Sequence, residues 1–293
     1  MRASKRPSDR PRGMLAAAAA LATLAACSPR ALLVVQSCPD AAGGGCPGTP
    51  DPSLLQGLIG LWHFDEIPGS TIAADSSGNG NDGRLVDLDP VTAWVAGRAG
   101  GCLQIGAAGY VEVPLSLSIA GITAGVTVAA WISLEGTVSD YGTAISRQIG
   151  AGIEQYYHLS VNANDLPSLF INPTVPSTRL VFLPAPTAAP RGKFTHVAGT
   201  YDGAFARLYV DGVLIGPTAV TGTFGSDSTP LILGGNGNND AVTERFPGRI
   251  DEIALYDRPL ETGEIERLAA GALFSYKATP ARWVVTDASA GSN

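Results

Sequence analysis

The residues best suited to chemistry lie in one loop, Asp75-Ser-Ser-Gly-Asn-Gly-Asn-Asp-Gly83. Asp75, Asn79, Asn81 and Asp82 offer carboxylate and amide oxygens, and the interleaved Gly78, Gly80 and Gly83 let the backbone fold tightly around a centre. A hard cation such as calcium takes about six to eight oxygen ligands of these types. The loop lacks the acidic twelfth residue of an EF-hand, so any calcium site would be of another kind. The same residues also suit an Asx-rich turn whose side chains satisfy their own backbone.

Other chemistries find less support. His63, His158 and His196 are scattered, with no Cys/His spacing of a zinc site. There is no nucleophile elbow, Walker loop or His-Glu-x-x-His sequence. Glycan binding needs exposed aromatic faces beside polar groups. Trp94, Tyr141, Tyr156, Tyr157 and Phe246 are the aromatics nearest to predicted loops, against the competing expectation that aromatics fill sandwich cores. Trp62 and Trp131 are expected in the core, and His63 and His196 are expected to be structural.

The elements that must position these residues are strands. From Gly57 onward, short β-prone runs alternate with Gly/Asn/Asp/Pro turns, the spacing of a sandwich or barrel. Val126, Val128, Ala130 and Ile132 alternate with Thr127, Ala129, Trp131 and Ser133, which places one set on a core face. Asp211-Gly212, between two β-prone runs, predicts a two-residue type I′ hairpin turn. One helix is predicted after Pro259, with Ile265, Leu268 and Ala269 on one face, packed against the end of the sandwich.

The N-terminus addresses the chain to an envelope. Arg2, Lys5, Arg6, Arg10 and Arg12 precede an apolar stretch from Met14 to Leu24, which is well short of the roughly 20 residues that span a bilayer. Leu24-Ala-Ala-Cys27 resembles the lipobox of bacterial lipoproteins, which implies that Cys27 carries the lipid and that the protein is lipid-anchored at the cell envelope, with Ser28 favouring the outer membrane. Residues 1–26 are thus read as a signal, 27–56 as a Gly/Pro-rich tether, 57–272 as the domain and 273–293 as a tail, which with Trp283 either adds an edge strand or is disordered. In a compartment that permits disulfides, Cys38 and Cys46 are the cheapest pair to join, and a bond from Cys102 to either is the alternative. The net charge of -7 includes a basic leader, so the mature chain is more acidic still. That argues against nucleic acid or an anionic membrane surface as partner, leaving the lipid as the only membrane contact.

The order of six motifs carries a resemblance. Gly60-Leu-Trp-His-Phe-Asp-Glu66, the Asp75–Gly83 loop, Tyr110-Val-Glu-Val-Pro114, Val128-Ala-Ala-Trp-Ile132, Phe194-Thr-His-Val-Ala-Gly-Thr-Tyr-Asp-Gly203 leading into Leu208-Tyr-Val-Asp-Gly212, and Gly248-Arg-Ile-Asp-Glu252 follow one another as in the LamG-like jelly-roll family. These are concanavalin A-like sandwiches related to laminin G and pentraxin modules, and the similarity covers roughly Gly57 to Ala270. The resemblance implies an all-β, two-sheet antiparallel jelly-roll sandwich with one short C-terminal helix. It also implies a structural calcium joining the Asp75 loop to Asp251 on the terminal strand, with Asp65 and Glu66 as further donors. Where the family usually carries an aspartate-rich turn, this chain has Gly106-Ala-Ala-Gly109. Some glycoside hydrolases share the architecture, but no glutamate here has an aspartate two residues later, as the laminarinase-like pattern requires. The expected function is therefore a non-catalytic module binding glycan or a cell-surface protein. The alternatives are an envelope structural protein, or a carbohydrate-active enzyme with an unusual site.

Overall fold

The computed structural model describes residues 51–277, apart from 108, 149–154, 177–179, 226 and 239–240. Cys27, Cys38, Cys46 and Trp283 lie outside the described residues, and with them the lipidation, disulfide and tail expectations.

Strands are numbered along the chain. The first sheet runs in the order β14 (Val213–Ala219), β13 (Phe205–Val210), β12 (Phe194–Tyr201), β7 (Val126–Leu134), β18 (Gly248–Tyr256), β5 (Gly101–Gln104) and β4 (Trp94–Ala96), with β1 (Leu58–Trp62) also paired to β18. The second runs β11 (Val181–Pro184), β10 (Pro167–Ile171), β9 (Gln155–Asn162), β8 (Tyr141–Gln148), β15 (Leu231–Leu233), β6 (Tyr110–Val113), β3 (Gly83–Val86) and β2 (Ile72–Ala73). A separate hairpin joins β16 (Asn236–Asn238) to β17 (Ala241–Thr243). Pairing is antiparallel throughout both sheets, as a jelly-roll sandwich requires.

The two-residue period of β7 explains the layering. Val126, Val128, Ala130 and Ile132 enter the inter-sheet core with Val197, Leu208, Ile250 and Leu255, while Ala129 faces away. The hairpin between β13 and β14 turns at Asp211 and Gly212, with φ of 49° and 80°. Positive φ at both central residues is what a type I′ turn demands.

The far face of β12, β7 and β18 is also buried, under segments that precede β1 and follow β18. Ala198 and Ala254 pair with Ala129 across neighbouring strands, making a row of small side chains that lets a helix approach closely. Onto that face pack Leu54 of a short 3-10 helix (Pro52–Leu55), Ile265 and Leu268 of the C-terminal helix (Thr262–Ala269), and Leu273. That helix begins with a reciprocal capping box between Glu261 and Glu264. Arg258 clamps Glu264 with two bonds of 2.7 and 2.8 Å and donates to the Ser53 and Gln56 carbonyls.

Two boundaries shift accordingly. Residues 51–56, read as the end of the tether, belong to the domain because Leu54 is fully buried and Arg258 holds their carbonyls. The domain also extends past 272: Leu273 is buried, and the Tyr276 carbonyl lies 2.6 Å from His63 Nε2. Replacing the fully buried Ile265 by Ala should cost about 2–4 kcal/mol in a denaturant titration. A loss below about 0.5 kcal/mol, the range of a surface change, would mean the helix does not seal this face.

Candidate functional site: an aromatic face beside a groove

The Asp75 loop is densely hydrogen-bonded, although Asn81 Oδ1 is buried without a partner. Asp75 Oδ1 accepts from the amides of Leu61 and Ser77 at 3.0 and 2.8 Å, and Oδ2 from Ser77 Oγ and the Asn81 amide at 2.8 and 2.9 Å. Asp82 Oδ1 accepts from the Asp75 amide, while the side-chain amides of Asn79 and Asn81 donate to carbonyls of β1. Trp62 Nε1 closes the loop by donating to the Asn81 carbonyl at 3.0 Å. These bonds stitch the loop to the first strand through peptide groups.

Asp251 answers to a different turn. Its Oδ2 accepts from the Arg98 amide at 2.7 Å and the Ala99 amide at 3.4 Å, and its Oδ1 is buried without a partner. Burial pushes its acid up to about 7; the Arg98 amide pulls it back and the charge of Glu252 adds to the rise. Asp65 is likewise spent on the Gly101 amide at 2.7 Å, and Glu66 Oε1 on the Ala74 amide at 2.8 Å. The Asp75 loop and Asp251 therefore have separate sets of partners. Among the described residues no three His, Cys, Asp or Glu side chains converge on a metal position. The seam fits the Asx-rich alternative, in which each carboxylate is a fixed acceptor for backbone N–H groups.

The proposed stacking residues divide. Trp94, Tyr156 and Tyr157 are buried in the inter-sheet cluster, which corrects their assignment as ligand-binding aromatics, while Phe246 is buried in the same cluster but lines the groove described below. Trp94 spends its indole N–H on the Ser70 carbonyl, and Tyr156 and Tyr157 each pack edge-on to Phe224. Only Tyr141 of the five is half-buried on an outer surface.

Tyr141 belongs to a cluster that sequence reading missed. On β10 and β11, Leu169, Ile171 and Leu183 point into the core, so Phe170 and Phe182 stand on the opposite face of the second sheet. Phe170 is directly cross-strand from both Phe182 and His158, with ring centroids 4.7 and 4.9 Å apart. Tyr141 meets Phe170 edge-on at 5.2 Å. Phe182 is 41% exposed and Leu180 beside it 58%. Burial drives His158 down to about 3, so it is neutral, sharing a 2.6 Å hydrogen bond with Thr143. The alternation Ser168-Leu-Phe-Ile171 could have revealed the outward ring, but its partners lie on three other strands.

Tyr141 also lines a groove of about 540 Å³ with Gln104, Glu135, Thr137, Glu244 and Arg245. The turn Gly106-Ala107, which replaces the expected aspartates, forms part of its wall. Glu135 is ion-paired with Arg249, whose Nε donates at 2.6 Å, and Glu244 accepts from Asn236 at 2.8 Å. Burial raises the acid of Glu244, against the Asn236 hydrogen bond and with help from Asp140. A concave groove with a few converging polar groups, opening beside aromatic rings, is the usual form of a small-molecule site.

The hydrogen-bonded seam makes a direct prediction. Asp75→Ala should lower stability by about 3 kcal/mol through its orphaned amides, equally in calcium and in chelator. Chelator should leave the parent melting curve unmoved; a fall that Asp75→Ala abolishes would restore a metal to the seam.

Residues 105–266 match the family model described as the Concanavalin A-like lectin/glucanases superfamily. No curated protein sequence matches the chain. Among solved structures, it is similar to domain 4 of AbnA, an extracellular arabinanase from Geobacillus stearothermophilus, solved in complex with arabinotriose: 19% identity, TM-score 0.52, covering 72% of this chain and 98% of that one. It is also similar to the binding domain of Paraclostridial Mosquitocidal Protein 1, at 17% identity and TM-score 0.56, covering 74% and 53%. A third likeness is to Trypanosoma rangeli sialidase, at 19% identity and TM-score 0.53, covering 74% and 32%. The chain thus spans about a third of the sialidase and about half of the mosquitocidal domain. These identities bear on fold alone, and the superfamily includes binding domains and enzymes alike. With the match extending over more than half its length and the two sheets in place, the chain belongs to the concanavalin A-like lectin/glucanase superfamily.

Proposed function

We propose that this chain is a non-catalytic binding module that holds a glycan against Tyr141, Phe170 and Phe182 at the cell envelope. The observation that carries the reading is the partly open aromatic cluster leading into the 540 Å³ groove. Sugar rings present C–H faces that pack on aromatic rings, while their hydroxyls seek polar groups such as those of Gln104, Thr137, Glu244 and Arg245. The likeness to an arabinanase domain solved with arabinotriose agrees with this by analogy of fold. A cell-surface protein is the second candidate partner, favoured by the exposed Leu180 and Phe182. The non-catalytic reading is supported by the engagement of both groove carboxylates, Glu135 by Arg249 and Glu244 by Asn236.

A panel of polysaccharides tests this. A bound glycan should lose about tenfold in affinity, roughly 1.4 kcal/mol, on Phe182→Ala, and should be recovered uncut. Unchanged affinity in both Phe182→Ala and Tyr141→Ala would remove the aromatic face from the account, and shortened product would make the protein an enzyme.

Anchoring through Cys27 is the second part of the proposal, supported by the order of basic, apolar and small residues before it. In a bacterial host, labelled palmitate should be incorporated by the parent and lost in Cys27→Ser, which should leave the membrane fraction. Equal labelling of both would place the lipid elsewhere.

A further inference from the structure

Under the C-terminal segment lies a second, much smaller cavity, of about 10 Å³, lined by Leu61, Ala129 and Ala254 of the first sheet and by Leu268, Leu273 and Phe274 above them. Its remaining walls are polar: Trp131, His196 and Glu252. All three are more than nine-tenths buried, and each has one atom without a hydrogen-bond partner: Trp131 Nε1, His196 Nδ1 and Glu252 Oε1. Three such groups around one cavity are a costly arrangement if left dry, since each loses about 1–3 kcal/mol of hydration.

We propose that this cavity is a binding site for a single structural water, held by Trp131, His196 and Glu252. The chemistry of the three atoms selects the ligand. The indole N–H only donates, so it needs an acceptor, which a metal ion or ammonium is not. The Glu252 oxygen only accepts, so it needs a donor, which a simple anion is not. Water is both. It accepts from Trp131 Nε1 and donates one hydrogen to Glu252 Oε1 and the other to His196 Nδ1 in the Nε2–H tautomer. Burial drives His196 down to about 4, so its ring is neutral and able to accept. The volume agrees, because one water needs about 10–15 Å³ of this measure and two would not fit. The other Glu252 oxygen is already taken by His63 Nδ1 at 2.8 Å, so the carboxylate needs no further cation.

The site is complete only when Leu268, Leu273 and Phe274 are seated, with Phe274 and the Arg98 guanidinium both packed on the Trp131 ring. The water thus belongs to the closure of the Leu268–Phe274 segment over the sheet, away from the groove.

The test uses the full chain labelled with 15N-tryptophan. Trp62 and Trp94 serve as internal controls, since their indole N–H groups donate to the Asn81 and Ser70 carbonyls. Trp131 Hε1 should show a water cross-peak with the sign of a long-lived complex, which Trp62 and Trp94 lack. Absence of that cross-peak would overturn the proposal. Trp131→Phe assigns the signal by deleting it. Should that variant fail to fold, a crystal structure decides: a density peak within hydrogen-bond distance of all three atoms supports the water, and an empty cavity overturns it.

Discussion

The rest of the structure depends on how the alanine row of the first sheet is covered. Ala129, Ala198 and Ala254 lie side by side on three neighbouring strands and give that face too little bulk to shield itself. Leu54 from just before β1, and Ile265, Leu268 and Leu273 from after β18, supply the missing cover. Both faces of β7 are thereby covered, and all nine of its residues are buried. Burial of this kind is non-directional, so the polar groups around it determine where each cover piece sits. Arg258 joins the 3-10 helix to Glu264, and His63 pairs with Glu252 while meeting the Tyr276 carbonyl.

That closure has an electrostatic consequence. Glu252 sits at an interruption in the pairing of β18 with β7, with a φ of 49°, and is carried under the C-terminal segment beside His63. Burial pulls His63 down, but the hydrogen bond and charge of Glu252 outweigh it, and the net shift is upward. Burial raises Glu252 against the pull of the same partner. Two groups that each resist ionisation alone are therefore held as a pair, with the Glu252 Oε1 left over for a water. Asp251, one residue earlier, is turned to the Arg98–Ala99 amides.

Much of the fold was legible because it rests on local rules. The β7 alternation, the Asp211-Gly212 turn and the helix face at Ile265 and Leu268 each depend on a few adjacent residues. The parts that were not legible depend on pairing. The destination of Glu252 is set by the break in register between Asp251 and Ala254, which no two-residue period foretells. Leu54 looked like part of a linker because its partners are some two hundred residues away. The aromatic face failed for the same reason: Tyr141, His158, Phe170 and Phe182 sit on four strands, and only their register brings the rings together. The loop at Asp75 was located from its residues, yet both Asp75 oxygens accept from backbone amides, a choice that composition cannot make.

With the centre of one sheet covered by Leu54 and the C-terminal helix, the outer face of the other is where aromatic rings remain within reach of solvent beside a groove. The central claim is that this face is the ligand site. A crystal structure of the protein with the oligosaccharide it binds best tests it most directly. The account predicts a sugar ring lying over Phe170 and Phe182, with hydroxyls hydrogen-bonded to groups lining the groove. A sugar seated instead along the Val213–Ala219 edge, or against the C-terminal helix, would contradict it.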